Sequence, residues 1–204
     1  MKIGIICGTG PSITRDQIFL ANHAKREGKA LLFGGNNSIF DFDLDVHNFC
    51  NYQWADHYAE QIKDFPCDKW TTRPEVPKKF PWIRYIEERW EPGLSRDKSY
   101  ICAHHGTGPQ TVGLAYHYGC TRLLLIGWDM RHRAGVKRHY FGNGEYPPSM
   151  QHWTRNLGTD GELVGLIKEM ETIKPQDYGI EIINCTPDSA LKCFPMGDLE
   201  ECLS

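Results

Sequence analysis

Two short stretches of this chain carry the same four residues, Gly8-Thr9-Gly10-Pro11 and Gly106-Thr107-Gly108-Pro109. Glycine lets backbone approach a ligand closely, and a glycine turn opening a helix aims N–H groups and a positive helix end at an anion. Two such turns at one sheet edge would form two walls of a phosphate site, although each alone also fits an ordinary tight turn. Neither is a P-loop, because G-x-x-x-x-G-K-[ST] is absent. Neither completes the dinucleotide fingerprint, since a third glycine is missing and Pro11 stands in its way. The sequences that follow them, "SITRDQ" and "QTVGLA", share nothing, so the pair is not an internal repeat.

Acid–base groups come next. Asp129 closes the apolar run 121–130, and in open α/β sheets the carboxyl ends of strands are where polar groups serve ligands. His139 lies in "RHRAGVKRHYFG", and histidine, with an ordinary pKa of about 6.5, suits a general base at neutral pH. His139 and Asp129 are therefore the candidate catalytic residues. Asp41, Asp43 and Asp45 alternate in "DFDLD", which fits either a D-x-D grip on a divalent metal or an acidic loop running into a strand. His104 and His105 are adjacent, so in a strand they point to opposite faces and do not make a metal pair.

The elements that must position these groups alternate. Strands are expected at 2–7, 29–35, 45–52, across "DKWTTR", and at 99–105, 121–130 and 180–185. Helices follow in "SITRDQIFLANHAKREG", "WADHYAEQIKDF", "PQTVGLAYHYG" and "DGELVGLIKEMETI". Gly28 closes the first helix. Strand, helix, strand in series means right-handed βαβ units. The expected fold is α/β, a Rossmann-like three-layer sandwich with a mostly parallel central sheet. Its length of 204 residues suits one nucleotide-binding domain, 1–204, with excursions near 74–98 and 131–159. The first excursion carries four prolines with Trp82 and Trp90 and is expected to be irregular and packed by its aromatics.

Composition narrows the ligand. The chain is 40% hydrophobic and 24% charged with a formal net charge of −3, so nucleic acid is not expected as a bulk electrostatic partner. No apolar run approaches the roughly 18 residues of a membrane span. Gly8, Gly10 and Pro11 interrupt the apolar N-terminus where a signal peptide would continue, and the eight cysteines form no C-x-x-C pair. Free thiols, no structural metal site and a cytoplasmic location are the expectation.

Four segments in order, "IICGTGPSIT", "NNSIFDFDLDVHNFCNYQWADHY", "GTGPQTVGLAYHYGCTRLLLIGWDM" and "INCTPDSALKCFP", together with His139-Tyr140-Phe141-Gly142, resemble one broad Rossmann-like superfamily. It holds hydroxymethylpterin diphosphokinases of the MptE type, small bacterial lipooligosaccharide sialyltransferases, and uncharacterised tailed-phage and prophage proteins, which the chain resembles most. The resemblance implies a nucleotide held by the first and middle loops. Gly8, Gly10 and Ser12, with Thr9 between them, would match the first loop. Asn36 would match an asparagine on the nucleotide, Thr107 and Gly108 the small pair before the middle helix, Asp129 the aspartate after the long apolar strand, and Tyr140 a tyrosine near the donor phosphate. Asn143 occupies the place of the sialyltransferase base, and Asn51 that of an aspartate usual in the phage group, which weighs against sialyl transfer.

The expected function is a nucleotide-dependent transferase, moving a sugar from a nucleotide-sugar donor to a hydroxyl acceptor, with Mg or Mn accompanying the donor where a metal is needed. Diphosphoryl transfer and a non-catalytic phage nucleotide-binding or assembly role are the alternatives, and a homo-oligomer is compatible with all of them. If phage-encoded, the protein would work in the bacterial host's cytoplasm. The excursion 131–159 is expected to close over the donor, bringing its basic side chains to the phosphates and His139 to the acceptor.

Overall fold

The structure is a computed structural model describing residues 1–103, 106–132, 135–136, 139–142 and 160–204, with only the backbone of 160–162. His104, His105 and most of the 131–159 excursion therefore lie outside the described residues. Strands β1 (Ile3–Cys7), β2 (Ala30–Gly35), β3 (Val46–Phe49), β4 (Asp68–Thr71), β5 (Arg84–Tyr85), β8 (Arg122–Ile126) and β9 (Glu181–Asn184) form one sheet, in the order β5-β4-β3-β2-β1-β8-β9. Every pairing in it is parallel. Helices α1 (Arg15–Arg26), α2 (Tyr52–Ile62), α4 (Thr107–His117) and α5 (Asp160–Thr172) cover it, with shorter α3 (Val76–Lys79), α6 (Pro175–Tyr178) and α7 (Leu199–Leu203). This is the α/β, Rossmann-like three-layer sandwich expected from the alternation of elements.

Period-two burial explains the layers. In β8, Leu124 and Ile126 join Ile5, Leu32, Ala21 and Ala55 in one core, while Leu123 and Leu125 join Ile6, Phe33, Val112 and Met170 in the other. Both faces of the central strands are covered, hence their unbroken apolar runs. Thr14 caps α1, its hydroxyl accepting from Gln17 N at 3.2 Å while Gln17 Oε1 accepts from Thr14 N at 3.2 Å. Gly28, at φ +69°, ends the same helix with its N–H on Lys25 O.

Two expectations need correction, and one open alternative, the acidic loop running into a strand, is decided. The strand expected at 99–105 is β7 (Tyr100–Cys102), and it pairs in a separate two-stranded sheet with β6 (Glu87–Arg89) instead of entering the main sheet. Between β5 and β6 stands Ile86, 4% exposed, which anchors the chain as it leaves the sheet edge for the second pairing. The 74–98 excursion is held by Phe80, Ile83, Ile86 and Leu94 with Trp82 packed beside Phe80 as expected, whereas Trp90 is 74% exposed and outside that packing. Finally, Asp41, Asp43 and Asp45 precede β3 and diverge. Asp41 accepts from the Tyr140 hydroxyl, Asp43 pairs with Arg26, and Asp45 takes Lys25 and Leu32 N. Among the described residues no group of three such side chains is arranged to hold a metal, and no helix is long and apolar enough to cross a membrane.

Candidate functional site

Strand order reverses at β1, because β2 and β3 lie on one side of it and β8 and β9 on the other. The carboxyl ends of the strands around such a reversal leave a crevice. Here it is a cavity of about 850 Å³, within the size range of small-molecule sites. It runs from Arg73 and Glu75, just after β4, past Asn51 after β3 and Asn36 after β2, to Asp129 and His139. Gly8, Thr9, Gly10, Thr107 and Gly108 also line it, so both GTGP turns do face one space.

The two turns differ in what they offer. In the first, Gly8 N–H donates to Ile126 O at 2.8 Å and Gly10 N–H to Gly127 O at 2.9 Å. Those donors bind the β1 loop to the end of β8 and are not presented to a ligand. Its helix begins only at Arg15 and is already capped by Thr14. A Cβ on Gly8 would lie 2.5 Å from Gly127 O, and one on Gly10 would strike the Asp129 carboxylate, so glycine is required here by loop-to-loop packing. The expectation of a helix end at each turn thus holds for the second only.

In the second turn, Gly106 at φ +144° is the N-cap, and Thr107 and Gly108 are the first helical residues of α4, with no side chain capping them. Uncapped first-turn amides beside a cavity are what an anion binds. The turn is tightly placed. Asn48 Nδ2 donates to Thr107 O at 3.3 Å, and Thr111 donates to Asn48 Oδ1 at 2.7 Å. A Cβ on Gly35 would run into the Thr107 methyl, and one on Gly108 would lie 3.0 Å from the Trp128 ring. Trp128, 3% exposed, is itself fixed by Nε1–H donating to Ile6 O at 3.2 Å. The start of α4 therefore lies across the ends of β2, β3 and β8.

Asp129 stands three residues beyond β8, after Gly127 turns the chain at φ +70°. Its Oδ2 accepts from Ser12 Oγ at 2.8 Å and from Ser12 N at 3.4 Å. Ser12 thus reaches the site through Asp129 and is not among the cavity's lining residues. The other carboxylate oxygen of Asp129 has no hydrogen-bond partner among the described residues. The next residue, Met130, sits at φ +52°, a left-handed conformation costing roughly 1–2 kcal/mol for a side chain of this kind, held in place by Ala190 N–H on Asp129 O at 2.8 Å.

His139 belongs to a short hairpin-like turn, His139–Gly142, docked on the first loop. Tyr140 N–H donates to Thr9 O at 3.2 Å, and His139 Nδ1 lies 3.1 Å from Thr9 Oγ1. The imidazole stacks on Phe141. Tyr140 points away from the cavity lining: its hydroxyl donates to Asp41 at 2.8 Å, and burial followed by that carboxylate pushes its pKa far above the ordinary value.

Asn36 is held from behind. At φ +51°, it extends its carbonyl to the buried His47 ring, Nε2 to O 2.9 Å. Burial lowers the His47 pKa to about 3, against the opposing pull of the Asn36 bond, and nearby Lys69 lowers it further. His47 is therefore neutral, with Nε2–H the donor. Sequence reasoning missed His47, Trp128 and the Arg73–Glu75 end. The last carries a readable signal, polar residues directly after a strand; the first two acquire their positions only from the fold. No family model, no curated protein and no solved structure matches this chain, so the chemistry of the site rests on its own geometry.

Proposed function

We propose that the protein is a nucleotide-dependent transferase, of the kind that moves a sugar from a nucleotide-sugar donor to an acceptor hydroxyl. One observation carries the reading: a ligand-sized cavity over the reversal in strand order, with the uncapped start of α4 at Gly106, Thr107 and Gly108 opening into it. Donor phosphates sit at those amides, in a role that the first GTGP turn has given up to bind β8. Arg131, ion-paired with Asp188 at 3.6 Å, also lines the cavity and brings a guanidinium to the β8 side of the donor phosphates.

At the β8 end, Asp129 or His139 takes the proton from the acceptor hydroxyl as its oxygen attacks the anomeric carbon. The bond from that carbon to the donor phosphate breaks, the electron pair leaves with the nucleotide, and the proton stays on the base. Both groups are held before any ligand arrives, Asp129 by Ser12 and His139 by Thr9, so little ordering is needed at the moment of reaction.

The test is a thermal-shift panel of nucleoside diphosphates, triphosphates and nucleotide sugars, with and without Mg and Mn, followed by an assay for release of free nucleotide. A ligand at 100 times its Kd adds about 2.7 kcal/mol, and about 2–4 °C per kcal/mol for this size means a rise of roughly 5–10 °C. No shift with any member refutes the nucleotide site. A shift without turnover refutes the transferase and leaves a binding protein.

A further inference from the structure

The cavity has one end at β4 and one at β8, and the order of the groups between them makes the base of the donor readable. Resting on the nucleotide reading above, we propose that the β4 end is a nucleobase subsite selective for guanine, with Glu75 and Arg73 reading the base edge.

The direction of the ligand follows from the sheet. The cavity borders the ends of β4, β3, β2, β1 and β8, five neighbouring strands. Four intervals of about 4.8 Å give roughly 19 Å, long enough for a base, a ribose, phosphates and a further group in line. The α4 start, where phosphate binds, is near the middle, against Gly35 of β2 and Asn48 of β3. The proton-accepting groups Asp129 and His139 are on the β8 side. The reacting group must lie toward them, so the base lies toward β4.

The side chains at that end suit a base edge. Tyr52 and Gln53, at the start of α2, line the cavity as do Arg73 and Glu75. The Arg73 guanidinium is anchored by Nε–H donating to Cys50 O at 2.5 Å, leaving its Nη groups without partners among the described residues. The Glu75 carboxylate likewise has no hydrogen-bond or ion-pair partner among them. It stands at the N-cap of α3 without capping it.

A carboxylate only accepts and a guanidinium only donates. Guanine alone of the four common bases presents two adjacent donors, N1–H and the 2-amino group, which fill both carboxylate oxygens. It also presents two adjacent acceptors, O6 and N7, the pair that arginine meets bidentately. Cytosine and adenine each offer the carboxylate an amino group but no second donor, and uracil offers a single N–H.

Titration calorimetry of the full chain with GDP, IDP, ADP, CDP and UDP tests this. IDP is GDP without the 2-amino group. GDP is expected to bind at least about tenfold more tightly than each of the others, the loss typical of one charge-assisted hydrogen bond in a partly wet site. In Glu75→Gln, an exposed substitution checked by its melting temperature, the GDP and IDP affinities should converge to within about twofold. If nothing binds, the nucleotide reading falls and this one with it. If several diphosphates bind without preference, or CDP or ADP binds most tightly, the nucleotide site stands and the guanine subsite is wrong. A GDP preference unchanged in Glu75→Gln refutes the role given to Glu75.

Discussion

His47 offers a test of the fold behind the site, because its burial makes stability depend on pH in a calculable way. The ring is fully buried, and desolvation lowers its pKa from the ordinary 6.5 to about 3. In the unfolded chain it protonates near 6.5; in the folded protein it does not until about 3. Between these values the unfolded state binds the extra proton, so stability is complete above about pH 6.5 and is lost as pH falls through the window down to about 3. From the two pKa values, the His47 contribution lost between pH 7.5 and 4.5 is about 2.7 kcal/mol, at a limiting slope of about 1.4 kcal/mol per pH unit. His117, also lowered chiefly by burial, and the carboxylates add their own dependence, so wild type alone cannot isolate the term. His47→Gln can. Glutamine keeps an N–H able to donate to Asn36 O and does not titrate. Urea unfolding of both proteins at pH 7.5, 6.5, 5.5 and 4.5 is the assay. The variant is expected to be less stable at pH 7.5, since it packs imperfectly, and to lose about 2–3 kcal/mol less than wild type on descending to pH 4.5. Parallel stability curves for the two proteins would refute the buried neutral His47 and, with it, the device that holds Asn36 at the cavity.

Two further substitutions address the site directly. Gly108→Val forces a branched side chain against the buried Trp128 ring, which a Cβ would already approach to 3.0 Å; overpacking of about 1–3 kcal/mol should lower Tm by roughly 2–12 °C and weaken nucleotide binding, and a variant with wild-type Tm and affinity would show that α4 is not seated as described. Ser12→Ala removes the hydroxyl that donates to Asp129 and holds it in place, so Tm should fall by a few degrees and turnover by roughly threefold to tenfold, while Asp129→Asn should cut turnover by roughly 10²–10⁴ if the carboxylate is the base. Equal turnover in Asp129→Asn and wild type would leave His139 as the remaining candidate.

The α/β alternation was legible because it rests on local rules. Gly28 after the first helix and the apolar run of β8 each reflect interactions within a few residues or a simple burial period. That the first GTGP turn borders the cavity was likewise within reach, since parallel βαβ units bring strand carboxyl ends to one edge, whereas the second reaches it from β7, outside the main sheet, because the start of α4 packs on β2 and β3. What each turn does was not. Identical tetrapeptides diverge because Gly8 and Gly10 spend their N–H groups on Ile126 and Gly127, more than 100 residues away in sequence, whereas Gly106 and Thr107 open a helix directly. The three aspartates of "DFDLD" read as a possible metal grip until Lys25, Arg26 and Tyr140 were found to claim one each. Sequence alone determined the layers, the parallel sheet and the edge that holds the site, because hydrophobic period and chain connectivity decide those. Only the tertiary structure decided which amides remain for a ligand, that Ser12 serves Asp129, and that Arg73 and Glu75 end the cavity, because hydrogen-bond donors and acceptors are shared out among residues distant in sequence and close only once folded.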